Sequence, residues 1–287
     1  MKQKNVRMVV MSVLMVVATV LVQVSIASAE IKFGILPRLS AQEMHRMFDP
    51  LAEYLTKETG EKVSIVVTKD FAAYKEAVQA GQFDIGFSNP VIYVQLKQNT
   101  NLAPLVLSAE KKAGTRFRGV IIARKDSGIE KVQDLKGKKL AFVDEDSAAG
   151  YIFQMLLLSK AGMDVKKDFT KLPYAKKHDN VTMAVFSKAA DAGGIREDDL
   201  DKMKDKVDLS LIRVVAYTDY FPNWPVYATP KLNKNTAEKI RAALMKLKPT
   251  DAGSDAVVGA ANLTGFVAVS DKDYDLLRQA VRLVGAL

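Results

Sequence analysis

The chain has 287 residues, a formal net charge of +9 and no cysteine. The missing cysteine excludes disulfides, thiol catalysis and thiolate metal sites. Three positive charges and no acid lie in the first 29 residues, so residues 30–287 carry +6, spread over lysine-rich helix faces that also contain acids. Nucleic-acid binding is typical of a concentrated basic stripe with interleaved aromatic residues, and the sequence shows no such stripe.

The N-terminus has the three parts of a secretory signal peptide. Cations at positions 2, 4 and 7 precede an apolar run over residues 8–24, and Ala27-Ser-Ala29 has the small-residue pattern of a cleavage site. A retained membrane anchor is the alternative, but the apolar run is near the lower limit for a membrane span. We therefore predict cleavage after Ala29 and export from the cytoplasm.

Strand-like and helical patterns alternate over residues 30–110. Strands are predicted at 30–35, 63–67, 83–87 and 102–107, and helical patterns follow the first three. A capping box of Ser40 and Glu43 starts the first helix, and Asn89 with Pro90 starts the third. This alternation is typical of a mostly parallel sheet, in which ligands bind at the carboxyl ends of the strands. That rule selects the loops at 37–40, 69–74, 88–93 and 144–150.

A polar break over residues 111–118 precedes a second α/β set. Its strands are predicted at 119–123, 140–143, 189–193 and 209–217, and the segment after residue 217 contains further strands and helices. We predict two α/β lobes, with the second inserted into the first. The first lobe comprises residues 30–113 and 218–287, and the second comprises residues 114–217.

The stretch from residue 140 to residue 158 contains the strongest candidate site. A short apolar strand leads to a polar turn and then to a helix with Ser147 as N-cap. Ala148, Ala149 and Gly150 leave the first backbone N–H groups of this helix uncovered by large side chains. These groups have no partner inside the helix, and the helix dipole adds partial positive charge. The stretch can therefore hold an anion, although an ordinary helix start is the alternative.

Motifs of catalysis and metal binding are absent from the sequence. There is no G-x-S-x-G elbow, P-loop, H-E-x-x-H motif or G-x-G-x-x-G after a strand. The only two histidines, His45 and His178, are too far apart in the sequence to suggest a metal site. We therefore expect a binding protein rather than an enzyme, with no cofactor and no metal.

Several polar and aromatic residues fall on loops that the predicted topology brings together. Each has a structural alternative, such as core packing for the tyrosines or turn capping for the aspartate. The candidates outside the helix start are Tyr74, Ser88, Asn89 and Tyr93 in the first lobe, His178 in the second lobe, and Asp219 and Tyr220 at the return crossing.

Motifs along nearly the whole chain resemble those of one family, the periplasmic binding proteins of phosphate, phosphite and phosphonate ABC transporters, of the phosphonate-binding type. The resemblance implies a type II periplasmic-binding-protein fold, in which two α/β lobes joined by a two-crossing hinge close on the ligand. The matching motifs, in chain order, are Phe33-Gly-Ile-Leu-Pro37, Pro50-Leu-Ala-Glu-Tyr-Leu55, Tyr74 before Gly81-Gln-Phe-Asp-Ile85, Asn89-Pro-x-x-Tyr93, Asp126-Ser-Gly-Ile129 before Asp134-Leu-Lys-Gly137, Ser147-x-x-Gly150-Tyr151, and His178 before Asp191-Ala192.

The resemblance also implies roles for the candidate residues. Ser147 and the N–H groups of residues 148–150 would hold an oxyanion, and Tyr74, Tyr93 and His178 would donate hydrogen bonds to it. Asp219 would accept a hydrogen bond from a protonated oxygen of the ligand. Where members of the family usually have Thr and Ser, this chain has Ala148 and Ala149, so two hydroxyl donors are lost. The ligand is then either larger than in the family or not a phosphorus oxyanion.

The function implied by the resemblance is that of a periplasmic solute-binding protein. It would capture a small oxyanion, such as phosphonate, phosphite or phosphate, and deliver it to a membrane ABC permease. We expect a monomer that does not bind nucleic acid. The alternative is a periplasmic ligand-sensing protein for a different small organic anion, which docks on a membrane sensor.

Overall fold

In the computed structural model of the protein, the structure is described for residues 30–285. The predicted signal peptide over residues 1–29, with its cleavage site after Ala29, lies outside the described residues. Within residues 30–285, no helix combines the length and the apolar character needed to cross a membrane.

The described part of the chain contains thirteen strands and nine α-helices. The strands are β1 (Ile31–Ile35), β2 (Val63–Val67), β3 (Ile85–Phe87), β4 (Ala103–Glu110), β5 (Arg116–Phe117), β6 (Gly119–Arg124), β7 (Lys139–Ala141), β8 (Thr170–Lys171), β9 (Ala192–Arg196), β10 (Ile212–Tyr217), β11 (Phe221–Pro222), β12 (Pro225–Ala228) and β13 (Leu263–Val267). The helices are α1 (Ala41–Thr59), α2 (Phe71–Gln79), α3 (Pro90–Asn99), α4 (Phe153–Lys160), α5 (His178–Phe186), α6 (Glu197–Leu200), α7 (Lys234–Lys246), α8 (Ala252–Val258) and α9 (Asp275–Leu283).

The first sheet has six strands in the order β13-β4-β12-β3-β1-β2. Strand β1 pairs in parallel with β2 and β3, whereas β12 pairs antiparallel with both β3 and β4. Because β12 reverses direction between them, β3 and β4 run the same way. Four of the six strands therefore point in one direction, and their carboxyl ends lie at one edge of the sheet.

The second sheet has five strands in the order β10-β6-β9-β7-β8. Strands β7, β8 and β9 pair in parallel, and β6 pairs antiparallel with both β9 and β10. Four of these five strands therefore also share a direction. The prediction of mostly parallel sheets is confirmed in strand direction, although the return strands β6, β12 and β13 make several of the pairings antiparallel.

Two crossings connect the sheets, and they pair with each other. Strands β5 and β11 form a two-stranded antiparallel ribbon, in which Phe117 lies opposite Phe221. The ring of Phe153, at the start of α4, stacks on Phe221 with centroids 4.0 Å apart and lies 5.3 Å from Phe117. The predicted lobe boundaries, at residues 113/114 and 217/218, fall in the segments that flank this ribbon, and they stay a prediction.

Helix starts in the first part of the chain follow the predicted capping residues. The Ser40 hydroxyl accepts from the Glu43 backbone N–H at 3.3 Å, and the Glu43 carboxylate accepts from the Ser40 N–H at 3.2 Å. The side-chain oxygen of Asn89 accepts from the Ile92 N–H at 3.0 Å, and Pro90 occupies the first turn of α3. Both predicted helix starts are confirmed.

The helix start at Ser147 differs from the prediction. Its side chain makes no capping hydrogen bond, and the first turn, Ala148–Ile152, is a π-helix that continues into α4. The Ser147 carbonyl accepts from the N–H of Ile152, five residues on, at 3.0 Å. The wider π-turn moves the backbone N–H groups away from the positions that a serine side chain caps in an α-helix.

Two strands of the second sheet begin later than the sequence suggests. Strand β9 begins at Ala192 rather than at residue 189, because the chain turns at Lys188, whose φ is 66°. Strand β10 begins at Ile212 rather than at residue 209. There the Asp208 carboxylate accepts from the Ser210 N–H at 2.9 Å and starts a short 3₁₀ turn. In both places local turn chemistry competes with the apolar strand pattern.

Replacing Gly86 with alanine is expected to destabilise the first sheet. A Cβ atom at this position in β3 would lie 2.5 Å from the ring of Tyr227, and overpacking of this kind costs about 1–3 kcal/mol. Chemical denaturation measures the loss. The control is Gly253→Ala on α8, where the nearest atom, in Asp251, lies 3.4 Å from the new Cβ. Equal stability of the two variants would contradict the close packing of Tyr227 on β3.

Candidate functional site

The loops after β1 and β3 lie side by side at the edge of the first sheet. The N–H of Leu36 donates to the carbonyl of Phe87 at 2.9 Å, so the segment 36–38 runs beside Ser88 and Asn89. Trp224 precedes β12, and its ring lies 5.2 Å from the ring of Phe87. These loops share the carboxyl-end edge of β1 and β3, where ligands bind in sheets of this class.

Asn89 joins this edge to the second sheet. It is nearly buried, and its amide nitrogen donates to the carbonyl of Asp146 at 3.2 Å. Ser88 is fully buried, and its hydroxyl donates to the Asn89 carbonyl at 3.2 Å. The structure therefore brings the predicted loops 88–93 and 144–150 into direct contact.

The carboxylate of Asp146 makes two further contacts, both with helices that pack on the first sheet. One oxygen pairs with the ammonium of Lys75 on α2 at 2.5 Å, and the other accepts from the side chain of Gln95 on α3 at 2.8 Å. The Asp146 side chain is only 10% exposed, and the pair is therefore partly shielded from water. The segment that precedes the π-turn is thus held by residues of the first sheet's helices.

The π-turn presents backbone donors that the protein does not use. Ala148, Ala149 and Gly150 are buried, and the hydrogen bonds of the described residues include none from their N–H groups. Their carbonyls are bonded: Gly150 accepts from the Val143 N–H at 3.1 Å, and Ala149 accepts from the Gln154 amide at 2.7 Å. Buried N–H groups without an acceptor are costly, so this turn is suited to a bound acceptor.

Glycine is required at position 150 by the packing of the turn. A Cβ atom there would lie 2.5 Å from the side chain of Val143 and 2.6 Å from the hydroxyl oxygen of Ser147. The Ser147 hydroxyl therefore lies over the first turn, close to the free N–H groups. Any larger residue at position 150 would displace one of these two side chains.

His178 is held at the carboxyl end of the second sheet. Its Nδ1 accepts from the backbone N–H of Arg196 at 3.0 Å, so the neutral ring carries its proton on Nε2, which lies 3.7 Å from Asp199. Burial lowers the pKa of His178, and the positive charge of Arg196 acts in the same direction, against the opposing charge of Asp199. The ring is therefore a neutral donor through Nε2.

Tyr74 and Tyr93, two predicted ligand donors, are fully buried and bonded within the protein. The hydroxyl of Tyr74 lies 2.8 Å from that of Tyr227 and 3.3 Å from the Gly34 carbonyl. The hydroxyl of Tyr93 donates to Asp271 at 2.7 Å. Burial raises the pKa of both tyrosines and raises the pKa of Tyr227 to about 12. The Tyr93 hydroxyl is engaged by Asp271 rather than by residues 144–150.

The structure does not bring Asp219 and Tyr220 to these loops. Asp219 is about half exposed and pairs with Lys160 at 2.6 Å. Tyr220 is 45% exposed, and its ring lies 4.7 Å from the guanidinium of Arg118. Both residues come directly before β11, which pairs with β5, and their exposure was not evident from the sequence alone.

Two charged features of the site were missed by the sequence analysis. Glu110, at the end of β4, binds the guanidinium of Arg196, at the end of β9, with both carboxylate oxygens. Both side chains are at least 90% buried, so the pair joins the two sheets beside the hinge ribbon. The second feature is Arg38, whose guanidinium lies 4.9 Å from the ring centroid of Trp224. Arg38 falls in the loop 37–40, which the sequence placed at the carboxyl ends of the strands, so its position near the site could have been predicted.

Comparison with known proteins identifies the family. The sequence model of the family described as "ABC transporter, phosphonate, periplasmic substrate-binding protein" matches residues 33–274. The chain belongs to this family. The phosphonate-binding family is periplasmic, binds small ligands and works with an ABC permease, so this protein has the role of a periplasmic substrate-binding protein.

Individual relatives are similar over most of the chain. The Phosphate-import protein PhnD of Mycolicibacterium smegmatis is 26% identical over 277 residues, which cover 89% of this chain and 86% of the relative. The Tetrathionate sensor histidine kinase TtrS of Salmonella typhimurium is 26% identical over 227 residues, which cover 74% of this chain but 38% of the kinase.

A solved structure of a phosphonate-binding protein has the same fold. PhnD1 from Prochlorococcus marinus, in complex with methylphosphonate, matches with a TM-score of 0.74 at 16% identity and covers 90% of this chain and 99% of that chain. The predicted type II periplasmic-binding-protein fold is confirmed. At this identity the likeness establishes the fold and not the ligand.

Lowering the pH is expected to destabilise the protein through His178. The ring has a lower pKa in the folded protein than its ordinary value of 6.5, so the unfolded chain binds more protons. Stability from this ring is complete above pH ~6.5 and falls as the pH falls toward the lowered pKa. Thermal unfolding between pH 8 and pH 5 measures this loss.

The two histidines of the chain provide a matched pair of variants. His178→Asn keeps a hydrogen-bond acceptor near the Arg196 N–H but does not titrate, so it should lose part of the pH dependence. His45→Asn is the control, because the His45 side chain is about half exposed and its hydrogen-bond partner is Asp49. A pH dependence that is unchanged in His178→Asn would rule out the burial of this ring as its cause.

Proposed function

We propose that this protein captures a small oxyanion between the π-turn of the second sheet and the Ser88–Asn89 loop of the first, and delivers it to an ABC permease. The observation that carries the proposal is the set of N–H groups at residues 148–150. They are buried, they have no acceptor in the described part of the chain, and they start a helix that approaches the opposite sheet's loop. Such a helix start favours anions.

Other residues of the two sheets complete the proposed site. The Ser147 hydroxyl lies beside Gly150, and Nε2 of His178 supplies a neutral N–H donor. Tyr74 on α2 and Tyr93 on α3 have a structural role next to the site, since their hydroxyls already bond to Tyr227 and Asp271. Because Asp219 and Tyr220 point outward, we leave both out of the proposed contact set.

The absence of hydroxyl side chains at positions 148 and 149 bears on the class of ligand. Because positions 148 and 149 are alanines, the π-turn offers only backbone N–H donors and the hydroxyl of Ser147. Each lost hydroxyl bond weakens binding by about 0.5–1.5 kcal/mol unless another group replaces it. The M. smegmatis relative is named for phosphate import, and the P. marinus structure holds methylphosphonate. We propose an oxyanion of this kind, bound without chemical conversion, by a protein that is not an enzyme.

Ligand sensing is the second candidate function. It is favoured by the similarity to TtrS, a tetrathionate sensor histidine kinase, of which this chain spans 38%. In that case the ligand-bound protein would dock on a membrane sensor rather than on a permease. Uptake of labelled ligand by cells with and without the protein distinguishes the two functions, because only a transport protein changes the rate of uptake.

Thermal unfolding with a panel of oxyanions tests the proposed site. The panel comprises phosphate, phosphite, methylphosphonate, sulfate and small carboxylates. A true ligand at 100 times its dissociation constant stabilises the protein by about 2.7 kcal/mol. If carboxylates alone raise the melting temperature, the proposed class of ligand is wrong.

Gly150→Ala should remove this stabilisation, because the new Cβ would displace Val143 or Ser147 and distort the turn. Gly253→Ala is the control, since Gly253 lies on the exposed side of α8. Far-UV circular dichroism checks that both variants are folded. Ligand stabilisation that survives in folded Gly150→Ala would remove the π-turn from the site.

A further inference from the structure

Arg38 lies at the ligand-binding edge of the first sheet. It follows β1 by three residues, and the N–H of Leu36 fixes this segment to the Phe87 carbonyl, next to Ser88. Its guanidinium lies 4.9 Å from the ring centroid of Trp224, which is nearly buried and packs on Phe87. The position of Arg38 is thus determined by packing rather than by an ion pair.

Among residues 30–285, Arg38 makes no hydrogen bond and no salt bridge, and its guanidinium stacks on Trp224. Arginine remains charged in proteins. Burial lowers the pKa of Arg38, the charges of Glu110 and Asp199 act in the opposite direction, and Arg196 acts in the same direction as burial. Arg38 is partly exposed to water, and an oxyanion in contact with its guanidinium would stabilise the charge by charge-assisted hydrogen bonds.

The carboxylates near Arg38 are already in contact with other cations. Glu110 pairs with Arg196, which also binds Asp198. Asp199 pairs with Lys202. Each of these carboxylates already has a cation in contact, so none of them is the partner of Arg38. The cluster therefore leaves one cation without a contacting anion.

We propose that Arg38, held over Trp224, is the charge partner of the bound oxyanion, and that the site takes a ligand with a single negative charge. This inference rests on the proposed function and narrows its ligand class. Arg38 is the one cation of this cluster with no carboxylate in contact, so it can contact one charged group of a ligand. A second negative charge would face Glu110 and Asp199 without a further cation. The guanidinium fork also supplies donors in place of the hydroxyls that are absent at positions 148 and 149.

Trp224 makes the proposal measurable, because it is the only tryptophan in the chain. Its fluorescence reports directly on the space beside Arg38. The probes are methanesulfonate and dimethylphosphinate, which carry one negative charge, sulfate, which carries two, and neutral dimethyl sulfone. All four are small and have tetrahedral centres, so charge is the main difference between them.

Fluorescence titrations of the whole protein should rank the four probes by charge. We expect both monoanions to bind more tightly than sulfate, and dimethyl sulfone to cause no change. Tighter binding of sulfate would overturn the inference of a single charge while leaving the proposed function intact. If no ionised probe or other oxyanion binds to the unmodified protein, the proposed function itself fails.

Variants of Arg38 test its role separately. Arg38→Gln should weaken binding of the monoanions about ten- to a hundredfold, the usual effect of losing a charged hydrogen bond. Arg38→Lys keeps the charge but not the fork and should recover part of the affinity. Arg241→Gln is the control, because Arg241 is an exposed residue of α7 paired with Glu238.

A stability measurement on the ligand-free variants completes the test. Since Arg38 lacks an anion in the protein, Arg38→Gln should unfold at nearly the same temperature as Arg241→Gln, lower only by the loss of the stacking on Trp224. Wild-type affinity in Arg38→Gln would overturn the role of Arg38. A large drop in the melting temperature of the free Arg38→Gln protein would do the same, because it would show that Arg38 serves mainly to stabilise the fold.

Discussion

Asp146 connects the loop before the π-turn to three residues of the first sheet's helices. Its carboxylate binds Lys75 and Gln95, and its carbonyl accepts from Asn89. Every proposed ligand contact depends on this connection, because donors from two separate sheets have to meet within the length of one small anion. The Glu110–Arg196 pair provides a second connection beside the hinge. Together they connect the two sheets beside the proposed site, and the partial burial of both pairs strengthens their charge interactions.

The order of strands and helices could be predicted from the sequence because it depends on local patterns. Alternating apolar segments, the Ser40 capping box and the Asn89-Pro90 helix start are all present in the structure. Contacts between distant segments could not be predicted in this way. Asp219 is half exposed and pairs with Lys160 on α4, and β9 begins late because of the turn at Lys188. Such features depend on pairing and turn geometry that no short window of sequence contains.

The candidate site shows the same division between local and distant information. The anion-binding character of residues 147–150 follows from small side chains at a helix start, a local property. The structure gives the hydroxyls of Tyr74 and Tyr93 partners within the protein, Tyr227 and Asp271, which lie more than 150 positions away. Arg38 stands in a loop that topology had selected, yet its lack of a partner became evident only when the pairing of the surrounding charges was known.

The π-turn has a consequence for the number of amide donors. In an α-helix the carbonyl of the N-cap residue accepts from the fourth residue after it, whereas the Ser147 carbonyl accepts from Ile152, the fifth. The first internal bond is therefore postponed by one residue, and the N–H of Tyr151 is added to those that the helix pattern leaves unsatisfied. The chain lacks two hydroxyl donors at this position, and the π-turn provides one additional backbone N–H donor without any change of side chain.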